Sequence, residues 1–154
     1  MATMYLSLGS NLGDRRSNLD TALTLIGQTT GIVEAVSSIL ETEPWGFDSP
    51  NSFLNMAAKV KTGLKPLDVL KTTQMIEKSM GRTSKTGSRG YKDRIIDIDL
   101  LMYDELVMES PELTIPHRLM HKRRFVLEPL AEIAPELEHP VIHKTISQLL
   151  KEIQ

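Results

Sequence analysis

Three observations predict an α+β fold built on one antiparallel sheet. Apolar residues recur first at strand spacing and then at helical spacing, in the order strand, helix, strand, strand, helix, strand. Turn-forming residues separate these stretches, notably Gly9 to Gly13 and the segment holding Pro44, Gly46 and Pro50. No repeat, low-complexity tract or linker interrupts the 154 residues, so a single domain over 1–154 is expected. The order β-α-β-β-α-β is that of the ferredoxin-like plan, an antiparallel sheet with two helices on one face, here followed by a C-terminal extension.

Each element has its own signal. Thr3 to Leu8 reads as a short strand, and Gly9-Ser-Asn-Leu-Gly-Asp14 as the turn that leaves it. Leu19, Ala22, Leu23 and Ile26 form a helical stripe to about Gln28. Gly31 to Leu40 is strand-like, Glu41 to Ser52 a loop, and Phe53 to Lys61 a second alternating strand. Pro66 sits at a helix first turn, and Leu67, Leu70, Thr73, Ile76 and Met80 carry that helix to Gly81. A loop from Arg82 to Asp93 leads into the strand Arg94-Ile-Ile-Asp97-Ile-Asp99-Leu-Leu-Met102, which is expected to form a hairpin through Tyr103-Asp104 into Glu105–Met108. A short helix around Phe125–Ala134 and a closing helix from about Thr145 to Ile153 complete the chain.

Composition narrows the function. With no cysteine, disulfides, thiolate metal sites and cysteine nucleophiles are all excluded, which suits a reducing cytoplasm. No apolar run approaches the ~18 residues of a membrane span, and no secretory signal pattern opens the chain. A soluble, cytoplasmic protein without a membrane partner is expected. A net charge of -2 argues against a general nucleic-acid binder. The positive charge is nevertheless concentrated: nine of the 18 Lys and Arg residues lie between Arg82 and Arg124. A small polyanion fits that distribution better than a long one.

The strand with two aspartates carries the most chemistry. Successive side chains point to opposite faces, so Ile96, Ile98 and Leu100 share one face while Asp97 and Asp99 share the other. At ~3.3 Å per residue their Cα atoms stand about 6.6 Å apart. Carboxylates so placed can hold two divalent ions ~3.5–4 Å apart. The alternative is a half-exposed strand with one wet face, although Asp is depleted in strands and like charges there repel. The preceding loop contains Gly81, Gly87 and Gly90 with Arg82, Lys85, Arg89, Lys92 and Arg94. It reads either as a solvated surface or as a lid for a phosphorylated ligand; its abutment to Asp97 favours the lid.

Other candidates stand with two readings each. In Thr114-Ile-Pro-His117, the histidine either serves structure or donates to a phosphate oxygen. Arg123 and Arg124 are either solvated or part of a phosphate cage. Trp45, Phe53 and Phe125 ordinarily pack a core, but Trp45 and Phe53 flank the Pro/Gly loop, where rings can stack on a flat heterocycle with Asn55 at its edge. The Gly9–Gly13 turn lacks phosphate-loop and dinucleotide spacing and reads as a tight connection beside a pocket. A regulatory nucleotide-binding module and a two-metal nucleotidyltransferase or nuclease are the rival functions. The first has no need of paired carboxylates; the second would want a third acidic ligand and an extended basic track.

Taken together, these clusters resemble the 6-hydroxymethyl-7,8-dihydropterin pyrophosphokinase family of folate synthesis. The resemblance runs from Tyr5-Leu-Ser-Leu-Gly-Ser-Asn-Leu-Gly13 through Phe53-Leu-Asn55, Gln74 and Glu77-x-x-x-Gly-Arg82. It continues through Arg94-x-x-Asp97-x-Asp99-Leu-Leu, Pro116-His117 and Arg123-x-Phe125-Val-Leu-x-Pro-Leu-x-Glu-Ile-Ala-Pro135. It implies transfer of a pyrophosphoryl group from ATP to the pterin hydroxymethyl oxygen, with AMP leaving. The expected partners are these two small molecules, and a monomer is expected, although the sequence itself carries no signal of oligomeric state. The resemblance further implies that Asp97 and Asp99 hold two Mg²⁺ ions, and that Arg82, Arg94, Asp97 and Asp99 are catalytic. ATP falls to Gln74, Glu77, Arg82, Tyr91, Arg94, Leu100, Thr114, His117 and Arg123, and the pterin to Thr42, Trp45, Phe53, Asn55 and Phe125. The family commonly has Trp-Gly-Pro-Arg before the Asp strand; here the run is Tyr91-Lys-Asp-Arg94, with Tyr91 in the tryptophan's place.

Overall fold

The computed structural model of the chain describes residues 1–43, 51–81 and 94–153. Its first strand, β1 (Ala2–Ser10), is buried along almost its whole length because it lies inside the sheet. Helix α1 (Arg15–Thr29) begins where the Asp14 side chain accepts from the Ser17 amide, a cap for one of the unpartnered first-turn donors. It turns Leu19, Ala22 and Ile26 to the sheet. Strands β2 (Ile32–Val36) and β3 (Leu40–Thr42) both pair with β4 (Phe53–Thr62). Helix α2 (Pro66–Ser79) starts on its proline and is followed by β5 (Asp97–Tyr103). The antiparallel order β2-β4-β1-β5, with β3 alongside the start of β4, is the ferredoxin-like arrangement the sequence predicts.

Between β2 and β3 the sequence suggests one strand, but the chain breaks at Ser37–Ile39. The Ser37 hydroxyl accepts from the Ala57 amide at 2.9 Å, so a side chain replaces a ladder carbonyl there. A register shift also interrupts β2 between Val33 and Ala35. The expected hairpin from β5 into Glu105–Met108 does not form. Strand β6 (Met108–Glu109) pairs instead with β7 (Thr114–Ile115). The outward groups of β5 are already engaged: the Leu101 carbonyl accepts from the His117 amide at 2.9 Å, and the Ile98 amide donates to Glu77 at 2.7 Å.

The second face of the sheet is not wholly open, as the two-helix plan would leave it. One cluster packs α1 and α2 against Met4, Leu6, Leu8, Ile96, Ile98 and Leu100. A second packs α3 (Arg124–Ile133) and α4 (Ile146–Glu152) against Tyr5, Ala57, Leu101 and Met102 on the other side. Leu101 and Met102 both enter it because the β1–β5 register shifts opposite Tyr5 and Leu6. Capping of α4 by Thr145 and Gln148 fixes where that covering layer begins. The cover reaches only one end of the second face. At the other end, Ser7, Gly9, Asn55, Asp97 and Asp99 line a cavity. No helix among the described residues is long and apolar enough to cross a membrane.

Candidate active site

Three neighbouring strands build the floor of this cavity. Ser7 lies opposite Asp99, and Gly9 opposite both Asp97 on one side and Asn55 on the other. A Cβ on Gly9 would stand 2.9 Å from Asn55 Oδ1 and 3.5 Å from the Phe53 ring, so only glycine leaves this floor clear. Asn55 is buried and held in place by donation from Nδ2 to the Thr42 hydroxyl at 2.7 Å. Phe53, at the start of β4, and Phe125, in the first turn of α3, are the aromatic walls of this cavity. Arg123, the residue capping α3, also lines it and places its guanidinium carbon 5.6 Å from the Phe125 ring centre. Arg123 is 2 % exposed, and that burial holds its pKa below the usual arginine value.

A second, polar cavity opens along the outer edge of β5. It is lined by Leu70, Gln74 and Glu77 of α2, by Arg94, Asp97, Ile98 and Asp99, and by His117. Asp97 and Asp99 border both cavities. Arg94 stands 3.8 Å from the Asp97 carboxylate. Its backbone is fixed by a reciprocal pair: its amide donates to Asn11 Oδ1 at 2.6 Å, and the Asn11 amide donates to its carbonyl at 3.0 Å. Glu77 accepts from the Ile98 amide and so binds α2 to the edge strand. His117 Nδ1 accepts from the Leu119 amide at 3.3 Å, which leaves the ring proton of the neutral imidazole on Nε2. Burial lowers its pKa, outweighing the opposite pull of Asp97.

Most sequence-predicted residues therefore converge. Thr42, Phe53, Asn55, Arg123 and Phe125 share the first cavity, and Gln74, Glu77, Arg94 and His117 the second. Thr114 lies with His117 in an adjoining groove. Leu100 is buried in the core against the helices and lines neither cavity. Arg82, Tyr91 and Trp45, together with Lys85, Arg89 and Lys92, lie outside the described residues. Ser7, Glu43 and Leu70 were not foreseen as lining residues. Ser7 was legible in principle, as an odd-numbered β1 position on the Gly9 face.

Among the described residues, no group of three or more His, Asp or Glu side chains is arranged to hold a metal ion. The donor set is the carboxylate pair. Such a pair suits Mg²⁺, which commonly takes one or two carboxylates and fills its shell with water and phosphate oxygens.

Paired carboxylates, guanidinium groups and an aromatic slot on an α+β sheet are the make-up of a phosphotransferase. Residues 5–135 match the family model described as 7,8-dihydro-6-hydroxymethylpterin-pyrophosphokinase (HPPK). The chain belongs to this family. It is 49% identical over 141 residues to a 2-amino-4-hydroxy-6-hydroxymethyldihydropteridine pyrophosphokinase of Porphyromonas gingivalis, covering 91% of this chain and 95% of that one. The Bacillus subtilis protein of the same name is 42% identical over 135 residues, covering 87% and 79%. A solved Plasmodium falciparum HPPK-DHPS chain with pteroate shares the fold at TM-score 0.81 and 18% identity; the match covers 98% of this chain and 44% of that longer one.

Proposed function

We propose that the chain transfers a pyrophosphoryl group from ATP to the hydroxymethyl oxygen of 6-hydroxymethyl-7,8-dihydropterin, releasing AMP, in folate biosynthesis. The observation that carries this reading is the position of Asp97 and Asp99 on the boundary between an aromatic slot and a polar, cation-bearing cleft. A flat heterocycle between Phe53 and Phe125 would present its polar edge to Asn55 and Thr42. The triphosphate would lie in the cleft with Gln74, Glu77, Arg94 and His117, and Arg123 would meet it from the slot side. Arg82 and Tyr91 enter the proposal on sequence alone.

Two Mg²⁺ ions at Asp97 and Asp99, when bound, would neutralise the triphosphate and the charge that develops as AMP leaves. The residues of the chain orient and desolvate. Arg94 contributes a fixed positive charge, Nε2 of His117 donates to a phosphate oxygen, and buried Arg123 contributes charge where little water screens it. Asn55, fixed by Thr42, orients the heterocycle so that its hydroxymethyl oxygen faces the carboxylate boundary. No general base is needed, because phosphoryl transfer proceeds largely by positioning and charge stabilisation.

Incubation with ATP, Mg²⁺ and the reduced pterin alcohol tests this. AMP should form in equal amount to pterin diphosphate. Formation of ADP, or of no nucleotide product, would overturn it.

A further inference from the structure

The aromatic slot is held from behind by a group that does not line it. Strand β3 is three residues long and, among the described residues, its ladder partner is β4. Thr42 and Phe53 face each other across its end, and both line the slot. Their neighbours Glu41 and Ser52 meet Arg15, the first residue of α1. Arg15 Nη1 converges on the Ser52 carbonyl at 3.0 Å, the Ser52 hydroxyl at 3.0 Å and Glu41 Oε2 at 3.3 Å. The Ser52 hydroxyl in turn donates to the same Oε2 at 2.6 Å. The hydroxyl, ahead of the guanidinium, holds the Glu41 carboxyl below its usual pKa, so the carboxylate stays ionised near neutrality. One guanidinium thus joins both strand ends to a helix anchored in the core.

We infer that Arg15 is a positioning residue for the slot: its latch to Ser52 and Glu41 fixes the Phe53–Thr42 wall against Phe125, and thereby sets affinity for the flat heterocycle without touching it. Glu132 of α3 holds Ser38 just ahead of this three-residue strand, so the latch orders its opposite end, at Glu41 and Thr42. Without the latch, that ordering would have to be met at binding, which lowers affinity. Each contact is partly exposed and modest alone. The latch depends on three acceptors gathered at one nitrogen, Nη1, of a planar guanidinium. This inference rests on the slot being the pterin subsite.

The test uses the full chain with Mg²⁺ and the pterin alcohol, with a non-hydrolysable ATP analogue for the binding constants and ATP itself for turnover. In Arg15→Ala, pterin Kd and KM should rise about three- to tenfold, while nucleotide Kd and kcat stay within about twofold. Arg15→Lys should recover part of the loss. Ser52→Ala combined with Arg15→Ala should be little worse than Arg15→Ala alone, because both remove one network. Pterin affinity within twofold of wild type, equal losses for both ligands, or additive losses in the double variant would each overturn the latch. If the wild type binds nucleotide but no pterin, the proposed function falls and takes the latch with it; wild-type pterin binding matched by Arg15→Ala overturns the latch alone.

Discussion

Arg123 and Arg124 are adjacent and alike in sequence, yet the fold gives them opposite surroundings. Arg123 is buried in the aromatic slot, whereas Arg124 is half exposed and paired with Glu128 at 3.1 Å, one helical turn on. Nothing in the residue types separates them. Only the point at which α3 begins does so, and a helix boundary is the least legible feature of a sequence. Asp97 and Asp99 were legible because strand alternation fixes their shared face whatever the rest of the chain does. Asp97→Asn and Asp99→Asn keep size and shape while removing charge. Each should leave the melting temperature near that of wild type and lower kcat at saturating Mg²⁺ by about 100-fold or more, equivalent to ~2.7 kcal/mol of transition-state stabilisation. Turnover within a few fold of wild type for either variant would refute the carboxylate role.

At the scale of elements, the helix positions were legible but the buried face of α2 was only half so. Pro66 opens α2, and the apolar spacing of α1 matches its buried Leu19, Ala22 and Ile26. In α2, however, Thr73 and Ile76 are buried as expected, whereas Val69 takes the core place and Leu67 stands 41% exposed. The β5 hairpin was misread for a physical reason. Tyr103-Asp104 makes a turn, with Asp104 at φ 48°, but the outer edge of β5 is engaged by side-chain and loop groups far away in sequence. Such competition is invisible to a local pattern. The turn between α3 and α4 carries a pH dependence of its own. Buried His139 accepts at Nδ1 from the amides of Val141 and Ile142, at 3.2 and 3.1 Å. Burial, followed by His121 and His143, pushes its pKa down. Below the ordinary value near 6.5 the unfolded imidazole takes up its proton first, so folding stability falls as pH drops toward the lowered folded value. His117 acts with the same sign. His139→Asn keeps an acceptor for the two amides and removes the titration. Urea unfolding at pH 7.5 and 5.5 should show a smaller acid loss in this variant than in wild type. An unchanged acid loss would rule out His139 as a contributor.

For the molecule as a whole, the sheet is a partition between two cores, and the site occupies the part of one face that the second core leaves bare. The strand order was legible from the order of elements. The second layer was not. The segments around Phe125–Ala134 and Thr145–Ile153 were recognisable as helices, but nothing local says that they fold back across Tyr5, Ala57 and Leu101. Burial of Tyr5 and Leu101 follows from that layer, and so does the narrowing of an open face into a slot.

The described sheet ends in two unlike edges. The β5 side serves the cleft and is occupied by Glu77 and the His117 segment. Among the described residues the β2 side has no such cover, and Ile32 and Val36 stand 61% and 44% exposed along it. An uncovered strand of this kind is a template on which other chains can add. The register shift at Val33–Ala35 bends the ladder, and Glu34, 3.8 Å from Lys59, sets a charge between the two apolar residues. The irregularity in β2 thus acts as a solubility device far from the chemistry. Glu34→Val should leave kcat and both ligand affinities unchanged, yet lower the concentration at which light scattering first rises on warming. Scattering identical to that of wild type would show that the bend alone is enough to keep the molecules apart.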